Sequence, residues 1–179
     1  MKSRRRMMWT ALFALFLIVA GCGQQASPSQ PESPGTPGTS VDQPSESSMT
    51  TETISVYYAD GDLLQLQEEK QEISFTDDLD KYKKAIALLE NPQDEEKHFP
   101  LWSNFHYHSV TFENGQLTID ADSKNMYNLG SGGESMALEA LQKTLFQFPE
   151  VETINILEDG QQVETLMGHV ELENPITRQ

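Results

Sequence analysis

A break in composition at residue 50 constrains this chain more than any other feature. Residues 23–50 contain no Lys or Arg, no aromatic residue and only two large apolar side chains, Val41 and Met49. Pro28, Pro31, Pro34, Pro37 and Pro44 are spread through Ser, Thr, Gly and Gln. Such a stretch buries too little apolar surface to offset the entropy of ordering it, so disorder is expected. Whatever folds must be built from residues 51–179. A chain of that length buries roughly two-thirds of its unfolded surface, enough for one core.

The N-terminus carries a different signal. Lys2, Arg4, Arg5 and Arg6 precede the apolar run Met7–Ala20. The run is too short for a spanning helix, which needs ~20 residues, and has the layout of a signal peptide. It ends in Val19-Ala20-Gly21-Cys22, which resembles the bacterial lipoprotein signal, with Val19 where leucine is commoner. That resemblance implies cleavage before Cys22 and diacylglycerol, with fatty acyl chains such as palmitate, on its thiol. The alternative is an ordinary signal peptide with an incidental cysteine. Each buried acyl methylene contributes ~0.8 kcal/mol, so two or three chains hold a protein on a membrane. The expected organisation is a signal at 1–21, a lipidated Cys22 opening a tether over 22–50, and a folded domain at 51–179. The tether would average ~30 Å as a flexible coil and reach ~90 Å when stretched.

Charge narrows the partners. The formal net charge is −16. The only basic residues before Cys22 are the four of the signal, so the rest holds eight Lys and Arg against 28 acids, a net of −20. Such a body repels nucleic acid and anionic lipid alike. Cys22 is the only cysteine, which excludes an internal disulfide and a cysteine-based zinc site.

Periodicity outlines the folded part. Ile54, Val56 and Tyr58 alternate as a strand, and Asp60-Gly61 signals a hairpin. Leu64 and Leu66 alternate next, and after Glu68-Glu69-Lys70 so do Ile73 and Phe75. Thr76-Asp77-Asp78 can cap a helix bearing Tyr82, Ala85, Ile86 and Leu89, which Asn91-Pro92 ends. His106, His108, Val110 and Phe112 share one strand face, Asn114-Gly115 turns the chain, and Leu117, Ile119 and Ala121 return. Ser131 and Glu134 have capping-box spacing before a second helix with Ala137, Leu138, Leu141, Leu145 and Phe148. Ile154 and Ile156 mark a strand, Glu158-Asp159-Gly160 a turn, and Val163–Met167 a returning strand. The order β-β-β-α-β-β-α-β-β predicts an α/β (α+β) domain. It would have one mixed, mainly antiparallel sheet with two helices on one face.

The second half is more specific. Leu138 and Leu141 lead into Thr144-Leu145-Phe146-Gln147-Phe148-Pro149-Glu150-Val151. Then come Ile154–Gly160, Thr165-Leu166-Met167-Gly168-His169 and Asn174-Pro175-Ile176-Thr177-Arg178. This run resembles the sporulation and spore germination (GerMN) domain. Val56–Asp60 and the Ala85–Asn91 helix end resemble its N-terminal half. The motif residues are Thr144, Leu145, Phe148, Pro149, Gly160, Gly168, His169, Pro175 and Arg178. Ser103-Asn104-Phe105-His106 departs from the Gly-Thr-like turn of members, and Phe99–Trp102 is individual to this chain. The resemblance implies a fold similar to ring-building domains and contacts with envelope or spore-assembly proteins, self-association included. It implies a protein-interaction or structural role outside the cytoplasm and no catalytic residues; with the lipid on Cys22 the expected place is the extracytoplasmic face of the cell membrane, and no cofactor is expected.

Local candidates are weighed against plainer readings. His106-x-His108 can share a metal, with His98 or Asp122 as further ligands, but packing beside Val110 and Phe112 is simpler, and no metal is expected. Gly130-Ser131-Gly132-Gly133 can cradle an anion at a helix start but lacks a phosphate-loop Lys. Ser135 has no nucleophile elbow around it. Asp120 and Asp122 alternate as a solvated strand face does. Phe99, Trp102, Phe105 and Tyr107 form either a partner surface or core. The competing function is a lipoprotein that binds a solute or a cell-wall fragment.

Overall fold

The computed structural model describes residues 48–178. The signal, Cys22 and most of the tether lie outside them. The elements run β1 (Thr50–Asp60), β2 (Leu66–Phe75), α1 (Asp78–Leu88), β3 (His98–Phe99), β4 (Tyr107–Glu113) and β5 (Gln116–Ala121). They continue with α2 (Ser131–Leu145), β6 (Thr153–Glu158), β7 (Gln161–Gln162) and β8 (Ile176–Thr177). The result is α+β with two helices and mainly antiparallel strands.

The expected single sheet is divided in two. A three-stranded sheet runs β2-β1-β3. A five-stranded one runs β4-β5-β6-β7, with β8 also on β6. Within the second, β5 and β6 are parallel and joined through α2, the crossover a parallel pair requires. The division has a visible cause at the edge of β1 away from β2. The Gln147 side chain accepts from the Ser55 N–H and donates to the Ser55 carbonyl, both at 2.8 Å. Thr144 Oγ1 accepts from the Tyr57 N–H at 3.3 Å. Side chains from the end of α2 thus take the place of a strand, and the ladder cannot continue there. Closing an edge this way also protects it from foreign strands. Gln147→Ala is expected to cost about 1–2 kcal/mol by freeing both Ser55 groups, read as a lower urea midpoint at unchanged m-value.

The core is one cluster. Ile54, Val56 and Tyr58 of β1, Leu117, Ile119 and Ala121 of β5, and Ile154 and Ile156 of β6 meet the apolar stripes of both helices. Asp77 caps α1 as its sequence suggests, accepting from the Asp80 N–H at 2.8 Å. Asn114 and Gly115 both have positive φ, as do Asp159 and Gly160, the backbone that tight hairpin turns need.

Other expectations are corrected. Glu68-Glu69-Lys70 does not break a strand; β2 runs straight through and pairs with β1 from Thr50 to Ala59. Its polar side chains find partners there, Glu68 accepting from Ser55 Oγ and Lys70 donating to it. Ser131 makes no cap; the N-cap is Gly130, without a side-chain bond. Val163–Met167 is irregular rather than a strand, because its backbone is drawn to Glu134, which accepts from the N–H groups of Met167, His169 and Val170.

One buried cation joins the halves. Lys81 is buried among the rings of Phe75, Tyr82 and Phe148, 5.0–5.7 Å from their centres. Its ammonium pairs with Glu150 and lies 3.0 Å from Asp78. Burial works to raise the pKa of Glu150, but Lys81 and the Tyr82 hydroxyl hold it below the ordinary 4.5. A depressed carboxylate stabilises fully above its unfolded pKa, and the contribution fades as pH falls through the folded value. Melting temperature should therefore drop below pH 4.5, and Glu150→Gln should make that drop shallower in melts between about pH 3 and 7.

Candidate functional site

The aromatic segment 99–107 splits. Trp102 is 2% exposed and donates its indole N–H to the Ala137 carbonyl of α2 at 2.8 Å. Phe105 is buried against it, ring centres 4.8 Å apart. Tyr107 is half-buried and packs on Phe105. These three are committed to the interior, so the four-residue partner surface reduces to Phe99, 43% exposed. An aromatic's spacing does not reveal whether its polar tip will find a helix carbonyl.

Phe99 has neighbours that the sequence did not mark. β3 pairs Phe99 with Ala59 and His98 with Asp60. Immediately beyond Asp60 the chain does not make the expected tight Asp60-Gly61 hairpin. It makes a longer turn, closed by the Asp60 N–H on the Gln65 carbonyl at 3.0 Å. Asp60 Oδ1 accepts from the Leu64 N–H at 2.8 Å. Leu63 and Leu64 ride on this turn, 41% and 78% exposed, although Leu64 alternates in sequence with Leu66 as a strand residue would. Exposed Asp62, Glu95 and Glu96 flank the same end. Gly61, Glu90, Glu95, Glu96, Phe99 and Pro100 line a hollow of about 290 Å³ there. Exposed apolar side chains inside a charged rim are the usual anatomy of a contact surface.

The loop behind this surface is pinned. The Glu69 carboxylate accepts from the N–H groups of Gln93 and Asp94 at 2.9 and 3.1 Å and meets His98 Nδ1 at 2.8 Å. Burial opposes its charge, but these donors together hold its pKa below the usual range. His98 is thereby committed to Glu69 and far in role from a metal.

The expected packing of His106 and His108 on the face of Val110 and Phe112 is overturned. A register shift between Tyr107 and Ser109 leaves His108 without a partner on β5. Such a bulge re-aims the side chain it inserts. Tyr107, not His108, packs on the core with Val110 and Phe112, and both histidines are exposed. His108 Nε2 lies 2.7 Å from Asp159 Oδ1. Asp159 is held near a pKa of about 2 by Ser123 and then by His108. Asp120 is not idle either, since its carboxylate accepts from the Gly160 N–H at 2.7 Å.

The motif residues build structure. Leu145 and Phe148 are buried, Thr144 and its neighbour Gln147 close β1, and Pro149 follows α2. Gly160 and Gly168 carry positive φ, and Pro175 follows a cis bond. His169 Nδ1 lies 3.3 Å from Glu134. Arg178 donates to the carbonyls of Phe146, Phe148 and Val151, capping the end of α2. Glu134 and Gln147 are the residues sequence reasoning missed as organisers; a carboxylate in a helix's first turn looks the same whether it caps or anchors.

Together these elements define a small α+β domain of the GerMN kind. Residues 55–164 match the family described as sporulation and spore germination, and the chain belongs to that family. Solved structures agree on the fold. A candidate lipoprotein from Clostridium perfringens superposes with TM-score 0.52 at 26% identity, over 72% of this chain and 88% of that one. The first GerMN domain of the Bacillus subtilis sporulation protein GerM gives 0.55 at 15%, over 71% and 98%. The tandem GerMN domains of the same protein give 0.51 at 16%, over 72% of this chain but only 46% of that one. No protein with a curated description matches the chain.

Proposed function

We propose that this chain is a non-enzymatic interaction module. It is held by lipid on Cys22 at the extracytoplasmic face of the cell membrane and acts in sporulation or spore germination. The family match over residues 55–164 carries the reading. The signal-like N-terminus ending in Cys22 and the Pro/Ser-rich tether support the anchoring. The exposed Leu63, Leu64 and Phe99 support partner contact, the partners being envelope or spore-assembly proteins.

Two experiments test it. Cys22→Ala should move the protein out of the membrane fraction once the signal is removed; tight retention would overturn the anchor. Photocrosslinking from position 99 in vegetative and sporulating cells should yield a stage-specific set of envelope proteins. The same proteins at both stages, or none, would overturn the sporulation module.

One observation favours the alternative of a wall-fragment binder. A hollow of about 610 Å³ is lined by Tyr57, Phe146, Lys143 and Arg178, with the two cations stacked near the two rings. Saturable thermal stabilisation by anionic muropeptides would support this reading, and a flat response would remove it.

A further inference from the structure

One end of the five-stranded sheet gathers metal-ligating side chains from three separate segments. His108 comes from the bulge in β4, Asp122 from just beyond β5, and Asp159 from the β6–β7 turn. One ligand atom of each, an imidazole nitrogen and two carboxylate oxygens, lie within 4.8 Å of one another. We propose that His108, Asp122 and Asp159 form a binding site for a divalent transition-metal cation of the zinc type. The proposal does not depend on the interaction reading above.

The three positions are set by backbone and by neighbours. His108 is the inserted residue of the bulge, so its ring leaves the strand face and turns to Asp159. Ser123 fixes Asp159 from the other side, its N–H on Oδ1 at 3.2 Å and its hydroxyl on Oδ2 at 2.6 Å. Asp122 is tied by its own N–H to the His106 carbonyl at 3.0 Å. Its Oδ1 accepts from the Lys124 N–H at 2.8 Å, and its Oδ2 makes no hydrogen bond among the described residues.

Donor type selects the ligand. Two carboxylates and one imidazole converge here. Carboxylates alone would be an ordinary solvated patch. The imidazole converging on the same point is what changes the chemistry, since one nitrogen and two oxygens suit zinc, whereas calcium and magnesium prefer oxygen alone. Only neutral imidazole ligates a metal, and the His108 ring already turns its Nε2 toward Asp159. Ligand atoms ~2.0–2.1 Å from a tetrahedral zinc stand ~3.3 Å from each other. Binding therefore opens the 2.7 Å contact between His108 and Asp159 and brings the ligand atoms, now within 4.8 Å of one another, to that spacing. Ser123 remains on Asp159 as the group that orients a ligand. The exposed side leaves room for a water in the fourth position.

The test is calorimetric titration of zinc chloride into the full-length protein, purified in detergent without a histidine tag. It is run near pH 7. One saturable site is expected. His108→Ala and Asp122→Asn should each weaken it by more than the ~10–100-fold typical of losing a ligand's orienting partner. His106→Ala, on an exposed side chain outside the cluster, should bind as the parent does. Melting curves of all three variants should match the parent's without metal. No saturation below about 1 mM zinc, parental affinity in both His108→Ala and Asp122→Asn, or loss of binding in His106→Ala would overturn the site.

Discussion

Trp102→Ala is expected to lower the unfolding free energy by about 3–5 kcal/mol, as large-to-small changes at buried aromatics do. Phe99→Ala, three residues earlier, should change it by about 1 kcal/mol or less. The contrast follows from where the two rings sit. Trp102 is 2% exposed, fills space against Phe105 and satisfies the Ala137 carbonyl through its indole. Truncation removes the packing, leaves a cavity and loses the indole's hydrogen bond to α2. Phe99 is 43% exposed on a two-residue strand, so little buried area is lost. Urea melts at unchanged m-value separate the two. The same pair then reports on function. Phe99→Ala should keep the fold and lose the stage-specific crosslinks, whereas a partner defect in Trp102→Ala would reflect unfolding. Equal destabilisation by both changes would contradict the burial difference.

Much of the fold was legible because local and global signals agreed. Asp77 reads as a cap and is one. Asn114-Gly115 reads as a hairpin and adopts the required backbone. The stripe of Ala137, Leu138, Leu141 and Leu145 reads as a buried helix face and is buried. The family also shows in the sequence, through the run from Leu138 to Arg178. What was not legible depended on contacts across long separations. Ser55 and Gln147 lie 92 residues apart, and no period or spacing announces that an amide will close a strand edge. The division into two sheets follows from that contact. The His108 error has a different origin. Alternation assigns faces only while the register holds, and a single inserted residue puts the two sides of the bulge out of phase, so the faces read from Val110 and Phe112 fail for His106 and His108. Leu64 is misplaced for a related reason: an Asp-Gly pair fits a tight hairpin, but the Asp60 carboxylate stabilises a longer turn instead.

Glu134→Ala is expected to cost about 2–4 kcal/mol, by leaving partly buried N–H groups without their charged acceptor. The side chain is fully buried in the first turn of α2. Its two oxygens accept from the Met167, His169 and Val170 N–H groups at 3.0, 2.8 and 3.1 Å. A carboxylate near a helix N-terminus is favoured by the helix dipole, so α2 helps to stabilise the charge that holds the loop. The loop in turn carries Leu166 and Leu172 into the core, and Thr165 bridges Glu171. Losing the anchor should therefore loosen residues 163–172 before the rest. Hydrogen exchange should rise there first, with a melting temperature lower by on the order of 10 °C. Glu134→Gln tests whether charge or shape matters. It keeps one acceptor oxygen but turns an NH₂ donor toward N–H donors, so it should lose at least half as much stability as the alanine variant. A glutamine variant as stable as the parent would mean that the cavity is simply filled and that the loop does not need an anion. A glutamine variant with fast exchange confined to 163–172 would show that the motif Thr165–His169 is shaped by a single buried carboxylate 31 to 35 residues before it in the chain.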